Sequence, residues 1–507
     1  MRPRYTPERR VLHLGNILNN GYLNAKILRR YGWDADAVGV DYWHVQGQPE
    51  WDEVEIIDPK LAHFDPDWNT IDLHGFKRPW WFHDPLLGQL PEAAAHLRHR
   101  ETVNYREHSR DRRNTRPITA PSSDPRWRRA LRRVLRPTGL LETRRASQRA
   151  SRLAAMKAGD TVRWQRLVDQ FSQYYPERQM KLTAQDIADH AERAVAHRPL
   201  FEVYPLVQAS GLDPINVLLA DPDRPFVCYE HGTMRDFPYE DSSRGRLYAL
   251  ALKRAQHVIV TNQDIKVSAE RLGLTNYSFI PHVVDEEVFC PAESPRRVAL
   301  THEYACDFVI IAPARHHWKH APPGMENSWF KRNDIAIRGL GSLFRRKPHL
   351  KAVVVFFEWG QEVELSKALI RECGFADRVR WEPICSKRVM RDFYNAADVV
   401  LDQFNSIGAF GTVVPESLAC GKPVLLNFKR EQHIWCFGEP PPCINAETPD
   451  EVEVRVAELL EDELRRRSLG RQGHEWFARY HSTKVVAERH IEVYLKIAER
   501  LGWRWRN

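Results

Sequence analysis

The chain has 507 residues, 43% of them hydrophobic and 28% charged, with a formal net charge of +8. That length suits two or three domains, the mixture is that of a globular protein, and no run approaches the roughly 20 apolar residues of a membrane helix. The eight cysteines form no C-x-x-C pair and no spaced Cys/His set, which argues against a disulfide framework or a zinc module and for reduced thiols in a cytoplasmic protein. The N-terminus is basic but has no apolar h-region, which again reads as cytoplasmic. Residues 11–15 form an apolar strand ending at Gly15. A Gly/Asn loop follows, then a helical pattern (Tyr22, Ala25, Ile27, Leu28) and a second strand near residues 37–40. Strand, loop, helix and strand open a doubly wound domain. Residues 43–91, rich in Trp, His, Pro and Asp, read as a long surface excursion with functional potential.

Residues 98–166 hold about 20 Arg and Lys against about 6 Asp and Glu, a surplus of about +14. The rest of the chain is therefore about −6, so the basic excess belongs to one insertion. Its core, WRRALRRVL at 127–135, sets Trp127, Leu131, Val134 and Leu135 at helical spacing with arginines on the other face. Three readings stay open: a solvated arm packed on its domain, a helix lying on an anionic membrane surface, or a contact for another acidic partner such as nucleic acid. Regular α/β structure resumes at residues 215–219. Strand 226–229 runs into Glu230-His231-Gly232-Thr233, and strands follow at 257–261 and 277–280. Asp264 reads as a helix N-cap and Asp285 as a turn residue. A change of domain is expected between residues 289 and 306. The second half repeats the design with strands at 308–311, 351–357 and 379–381, helices at 333–343, 365–373 and 390–397, and further helices from 449 to 501. Ligands of such sheets bind at the carboxyl ends of the strands, so two facing sheets create one cleft.

The segment 398–427, DVVLDQFNSIGAFGTVVPESLACGKPVLLN, is strand, Gly loop, helix and strand. A phosphate suits the loop at the start of that helix, and Glu416 in its first turn can accept bonds from sugar hydroxyls. Gly408-Ala409-Phe410-Gly411 and residues 416–424 resemble the nucleotide-sugar site of the family 4 glycosyltransferases, retaining enzymes of the GT-B fold. Their pattern is Glu, seven residues, Glu, with Gly-Phe-Gly after the first. Gly408 stands where that first Glu is expected, which puts the sugar contacts in question and leaves Asn405 or Ser406 to compensate.

The resemblance implies two Rossmann-like domains, residues 1–290 with the basic insertion and residues 300–482, facing across a cleft. A final helix, 483–507, would pack back toward the first domain. It implies that Arg315 and Lys331 neutralise the donor diphosphate, with Lys319 a rival for the Lys331 role. It places His231 beside the donor sugar and Gly15 in a loop closing over the site. Backbone groups of Gly408, Phe410, Gly411, Thr412 and Val413 would lie near the diphosphate, with Glu416 on the ribose. Glu358 reads either as a lining of the nucleotide pocket or as an exposed loop acid. The family needs no divalent ion, and the His316, His317, His320 cluster lacks acid or Cys partners. The expected reaction is transfer of a sugar from a nucleotide diphospho-sugar to a glycan or lipid-linked acceptor with retention of configuration, without cofactor, in the cytoplasm or at the inner face of the membrane. Two other classes remain: a non-catalytic binder of nucleotide or glycan, and a protein that binds anionic polymer through residues 98–166. A GT-B epimerase or phosphorylase is a lesser alternative.

Overall fold

The computed structural model describes residues 8–58, 61–102, 162–321 and 329–505. The arginine-rich helix expected at 127–135 lies outside them. Two parallel sheets carry the chain. The first has seven strands in the order β3-β2-β1-β4-β5-β6-β7 and the second six in the order β10-β9-β8-β11-β12-β13. These strands are β1 Arg10–Leu14, β2 Asp34–Val38, β3 Phe82–His83, β4 Leu206–Ser210, β5 Phe226–Glu230, β6 His257–Val260, β7 Tyr277–Phe279, β8 Phe308–Ala312, β9 Ala352–Phe357, β10 Val379–Glu382, β11 Val399–Leu401, β12 Val424–Leu426 and β13 Ile444–Asn445. Parallel strands covered on both faces read as continuous apolar runs. β9, AVVVFF, is buried throughout, and β8, FVIIA, nearly so.

The α/β structure expected from residue 215 begins earlier. Residues 215–219 belong to the helix Pro214–Ala220, and the strand before it is β4. The reason is that β4, LVQAS, is interrupted by polar residues. Gln208 is nonetheless buried, because Tyr494 Oη donates to its Oε1 at 2.7 Å. Tyr494 belongs to the last helix, Thr483–Leu501, whose Val486, Ala487, Tyr494 and Ile497 pack into the apolar cluster of β1, β2, β4 and β5. Asp264 does not cap a helix. Its carboxylate holds Arg235 in two bonds of 2.5 and 2.7 Å. Asp285 accepts the Glu287 N–H in a turn and also pairs with Lys26 and Arg30. Among the described residues, no helix is long and apolar enough to cross a membrane.

The strand orders locate the crevices. In an open parallel sheet the crevice lies where the connections reverse direction. That is between β1 and β4 in the first sheet and between β8 and β11 in the second. Gly15 ends at the first of these points, and Ala314-Arg315 and Asp402-Gln403 at the second.

Candidate active site

Lys331 sits just before the helix Asn333–Arg346 and is fixed by its backbone. Its N–H donates to the His317 carbonyl at 2.6 Å, and its carbonyl accepts from Phe404 N–H at 2.9 Å. The ammonium reaches the β8/β11 crevice and donates to Gln403 Oε1 at 2.7 Å. Burial first, and then the Arg315 charge, push its pKa down to about 8. Arg315 projects into the same crevice. It is exposed to solvent, yet protein lies around it closely enough to lower its pKa by desolvation. Its guanidinium lies 5.7 Å from the Trp359 ring. No ion pair joins Arg315 or Lys331 to a carboxylate among the described residues. Asp402 is the acid whose charge acts on Lys331. It is buried, Oδ2 has no hydrogen-bond partner, and burial raises its pKa to about 6. Two cations beside one half-committed acid make a site with net positive potential. Lys319, the rival, is exposed; its backbone N–H is held at 2.8 Å by Glu362.

His231 follows β5 directly. Glu230 shapes the turn, accepting from Gly232 N–H at 2.6 Å, Met234 N–H at 2.7 Å and Thr233 Oγ1 at 3.0 Å. The His231 ring stacks on His282 at 5.8 Å and 11° and meets Tyr229 at 4.9 Å. Both of its ring nitrogens lack a partner, and burial with His282 nearby holds its pKa well below the ordinary value. It is a neutral imidazole. Gly15 has φ +87°, and a Cβ there would come within 2.5 Å of Asp213 Oδ2. Only glycine fits at that crossing.

The Gly loop departs from its expected role in a specific way. Gly408 has φ +74°, and a Cβ would lie 2.6 Å from Lys429 Cγ and 2.9 Å from its backbone N. The Gly408 carbonyl accepts from Lys429 N–H at 3.1 Å and faces His433 Nε2 at 3.3 Å. A glutamate has no room here, which accounts for the altered motif. The Phe410 ring stacks on His433 at 4.7 Å in the core. Gly411 is exposed with open space around it, and Val413 begins a seven-residue helix, Val413–Ala419. Asn405 is buried with Oδ1 unpartnered, whereas Ser406 is exposed. Glu358 is largely exposed and paired to Lys367 at 2.8 Å.

Glu416 is 2% exposed. Oε1 accepts from Lys387 Nζ and Oε2 from Tyr394 Oη at 3.0 Å. Lys387 Nζ also donates to Thr412 Oγ1 at 3.1 Å. Lys387 and Trp359 were not singled out by sequence reasoning. The only signal for Lys387 was its place at the start of a helix after β10. The cavity beside Glu416 is lined from both halves, by Asn20, Asp52 and Val284 of the first and by Lys387 and Thr412 of the second. The structure thus brings Arg315 and Lys331 together, sets Glu416 in a cavity between the domains, and leaves the Phe410 and Glu358 side chains turned to other partners.

Residues 331–492 match the family model described as glycosyl transferase-like. This part of the chain, about a third of its length, is similar to that family. A D-inositol 3-phosphate glycosyltransferase of Nocardiopsis dassonvillei is 29% identical over 221 residues, 41% of this chain and 45% of that protein. The chain therefore spans less than half the length of that curated relative. Among solved structures, a glycosyltransferase from Rickettsia africae superposes with a TM-score of 0.51 at 9% identity, covering 98% of this chain and all of that one. The N-terminal domain of Candida albicans trehalose-6-phosphate phosphatase gives 0.53 at 11% identity, covering 98% and 99%. These likenesses extend over both sheets, and the paired Rossmann-like arrangement is the GT-B fold. Lys331 is the first residue of the matched stretch, and the Gly loop and Glu416 fall inside it.

Proposed function

We propose that the protein is a glycosyltransferase that takes a sugar from a nucleotide diphospho-sugar and passes it on with retention of configuration. The observation that carries this reading is the pairing of Arg315 and Lys331 at the crevice of the glycosyl transferase-like half, with no carboxylate ion-paired to either among the described residues. Two like charges held together in a crowded crevice repel each other, and an incoming diphosphate relieves that repulsion. Their worth rises as charge accumulates on the leaving group, which is where electrostatic catalysis acts. The guanidinium fork suits two phosphate oxygens, and the ammonium supplies a point charge.

In this reading the bond from the anomeric carbon to the β-phosphate oxygen breaks and leaves its electron pair on that oxygen. The acceptor hydroxyl attacks from the same face and gives its proton to the departing phosphate. No protein nucleophile is required. His231, neutral with both nitrogens free, offers one donor and one acceptor to the sugar or acceptor hydroxyls. Glu416 takes the ribose hydroxyls after exchanging a bond with Lys387 or Tyr394. The two cations supply the charge that a divalent ion supplies in other transferases, so activity is expected to survive chelation. The acceptor is a glycan or a lipid-linked molecule that approaches from the first domain. The curated relative is named for D-inositol 3-phosphate, which makes a phosphorylated polyol a natural first acceptor to assay.

A non-catalytic nucleotide binder is the second reading, because Gly408 removes an acid from the motif. One screen separates the two. Melting temperature is measured with UDP, GDP, ADP and their sugars, since binding to the native state raises it. Donor turnover by wild type and Arg315→Ala then follows for each ligand that shifts it. Turnover lost by on the order of 10²-fold in the variant supports transfer; binding without turnover in the wild type supports the binder.

A further inference from the structure

Segment 41–58 leaves the first sheet and lies on the second domain. Its helix, Pro49–Glu53, packs against the helix Lys387–Ala396. Ile57 pairs antiparallel with Cys385. Ser386 N–H donates to the Ile56 carbonyl and Ile56 N–H to Ser386 Oγ, both at 2.9 Å. Arg388 reaches Glu53 at 3.2 Å. Trp51, Val54 and Ile56 form an apolar cluster with Ile384, against which Trp359 packs. Trp359 and Ile384 follow β9 and β10, so the segment covers the carboxyl edge of these two strands.

Its inner side faces Glu416. Gln46, Trp51, Asp52 and Glu53 share with Lys387, Thr412 and Glu416 a cavity of about 50 Å³. Sites for ligands of nucleotide size are several hundred Å³. Both oxygens of Glu416 are already bonded, one of them to the lysine that begins the helix under the segment. A nucleoside reaches Glu416 only if this arrangement opens.

We propose that segment 41–58 is an autoinhibitory clasp: seated, it closes the nucleotide pocket over Glu416, and lifted, it admits a nucleoside diphosphate. The identity of the ligand rests on the glycosyl-transfer reading. The clasp itself rests on the contacts just described. Its seat on the second domain is one backbone hydrogen bond, one bond to the Ser386 hydroxyl, a few ion pairs and a small apolar patch, weak enough for a lifted minority to exist at equilibrium. The apparent dissociation constant is then the intrinsic one divided by the lifted fraction. Locking and loosening the seat must therefore move affinity in opposite directions.

Ile57→Cys places a thiol opposite Cys385. Directly opposed residues of an antiparallel pair have Cα atoms about 4.5–5.5 Å apart, which suits a disulfide. UDP, GDP and ADP are titrated by calorimetry into the oxidised and reduced forms of this one variant. Oxidation is expected to weaken binding at least tenfold, and reductant to restore it. Ser386→Ala removes the hydroxyl that accepts from Ile56 and costs no helix cap, since Ser386 makes none. It is expected to tighten binding several-fold. Equal affinity of oxidised and reduced forms overturns the clasp, as does weaker binding in both variants, which would make the segment a pocket wall. Either result leaves the transfer reading standing when the wild type binds. A wild type that binds no nucleotide removes that reading and the clasp with it.

Discussion

Lys331 gives the sharpest prediction. Its pKa of about 8 lies near the assay range, whereas lysine ordinarily titrates at 10.5. If the ammonium grips a diphosphate, affinity must fall as it loses its proton. With one proton linked to binding, the association constant drops toward a tenfold loss per pH unit above the free-state pKa. At pH 9 the ammonium is about one-tenth protonated, so affinity should be about tenfold lower than at pH 7. The bases of UDP and GDP carry an N–H that also ionises toward the top of this range, so calorimetry between pH 7 and 9.5 isolates the protein group as the difference from Lys331→Arg, which shares the ligand's own titration. Lys331→Arg should flatten the curve, because arginine keeps its charge. The same residue carries a stability cost. The unfolded chain binds its proton up to the ordinary lysine value and the folded chain only to about 8, so stability rises as pH climbs through that window. At neutral pH the full cost applies, on the order of 3 kcal/mol before water penetration is allowed for. Lys331→Met should then raise the melting temperature while weakening nucleotide binding. A wild-type affinity that is flat from pH 7 to 9, together with a Met variant no more stable than the wild type, would refute the reasoning.

Three further outcomes follow from the geometry. Glu416→Ala should weaken nucleoside diphosphate binding by tenfold or more while leaving inorganic pyrophosphate affinity unchanged; equal losses for both ligands would remove the ribose role. Gly408→Glu restores the family pattern on paper but places a Cβ at φ +74° against Lys429, so urea unfolding should show a loss of about 1–3 kcal/mol and no gain in turnover. The buried histidines His282, His433, His481 and His490 have pKa values of about 4, 4, 3 and 3, all lowered chiefly by burial. The unfolded chain therefore takes up protons first as pH drops below about 6.5, and stability measured by urea should fall between pH 6.5 and 4, by up to about 1.4 kcal/mol per pH unit for each histidine; identical stability at pH 7 and pH 5 would contradict their burial as neutral rings.

What the sequence made legible follows from where each residue finds its partners. β5, β6, β8 and β9 are continuous apolar runs, and their periodicity alone announces buried parallel strands. β3 and β13 have two residues each, too few for any pattern. β4 was missed because Gln208 breaks its apolar run, and the tyrosine that permits this lies 286 residues away. Arg315 was singled out through the family resemblance, with its place just after a strand of the second sheet as the added signal. Lys331, after an intervening loop, needed the family resemblance. Lys387 was silent, and segment 41–58 showed only as part of a surface excursion and not as a contact with the second half, for one shared reason. Lys387 answers a carboxylate 29 residues away, and Trp51 and Ile56 pack on another domain. Local periodicity says nothing about either. The loss of the motif acid at Gly408 was visible in sequence, but its cause, the Lys429 backbone beneath it, was not.

The most direct test is an experimental structure with the nucleoside diphosphate that binds best. The account predicts its phosphates between the Arg315 guanidinium and the Lys331 ammonium, its ribose on Glu416, and segment 41–58 displaced from Cys385. Phosphates bound away from both cations, with Glu416 still held by Lys387 and Tyr394, would contradict it.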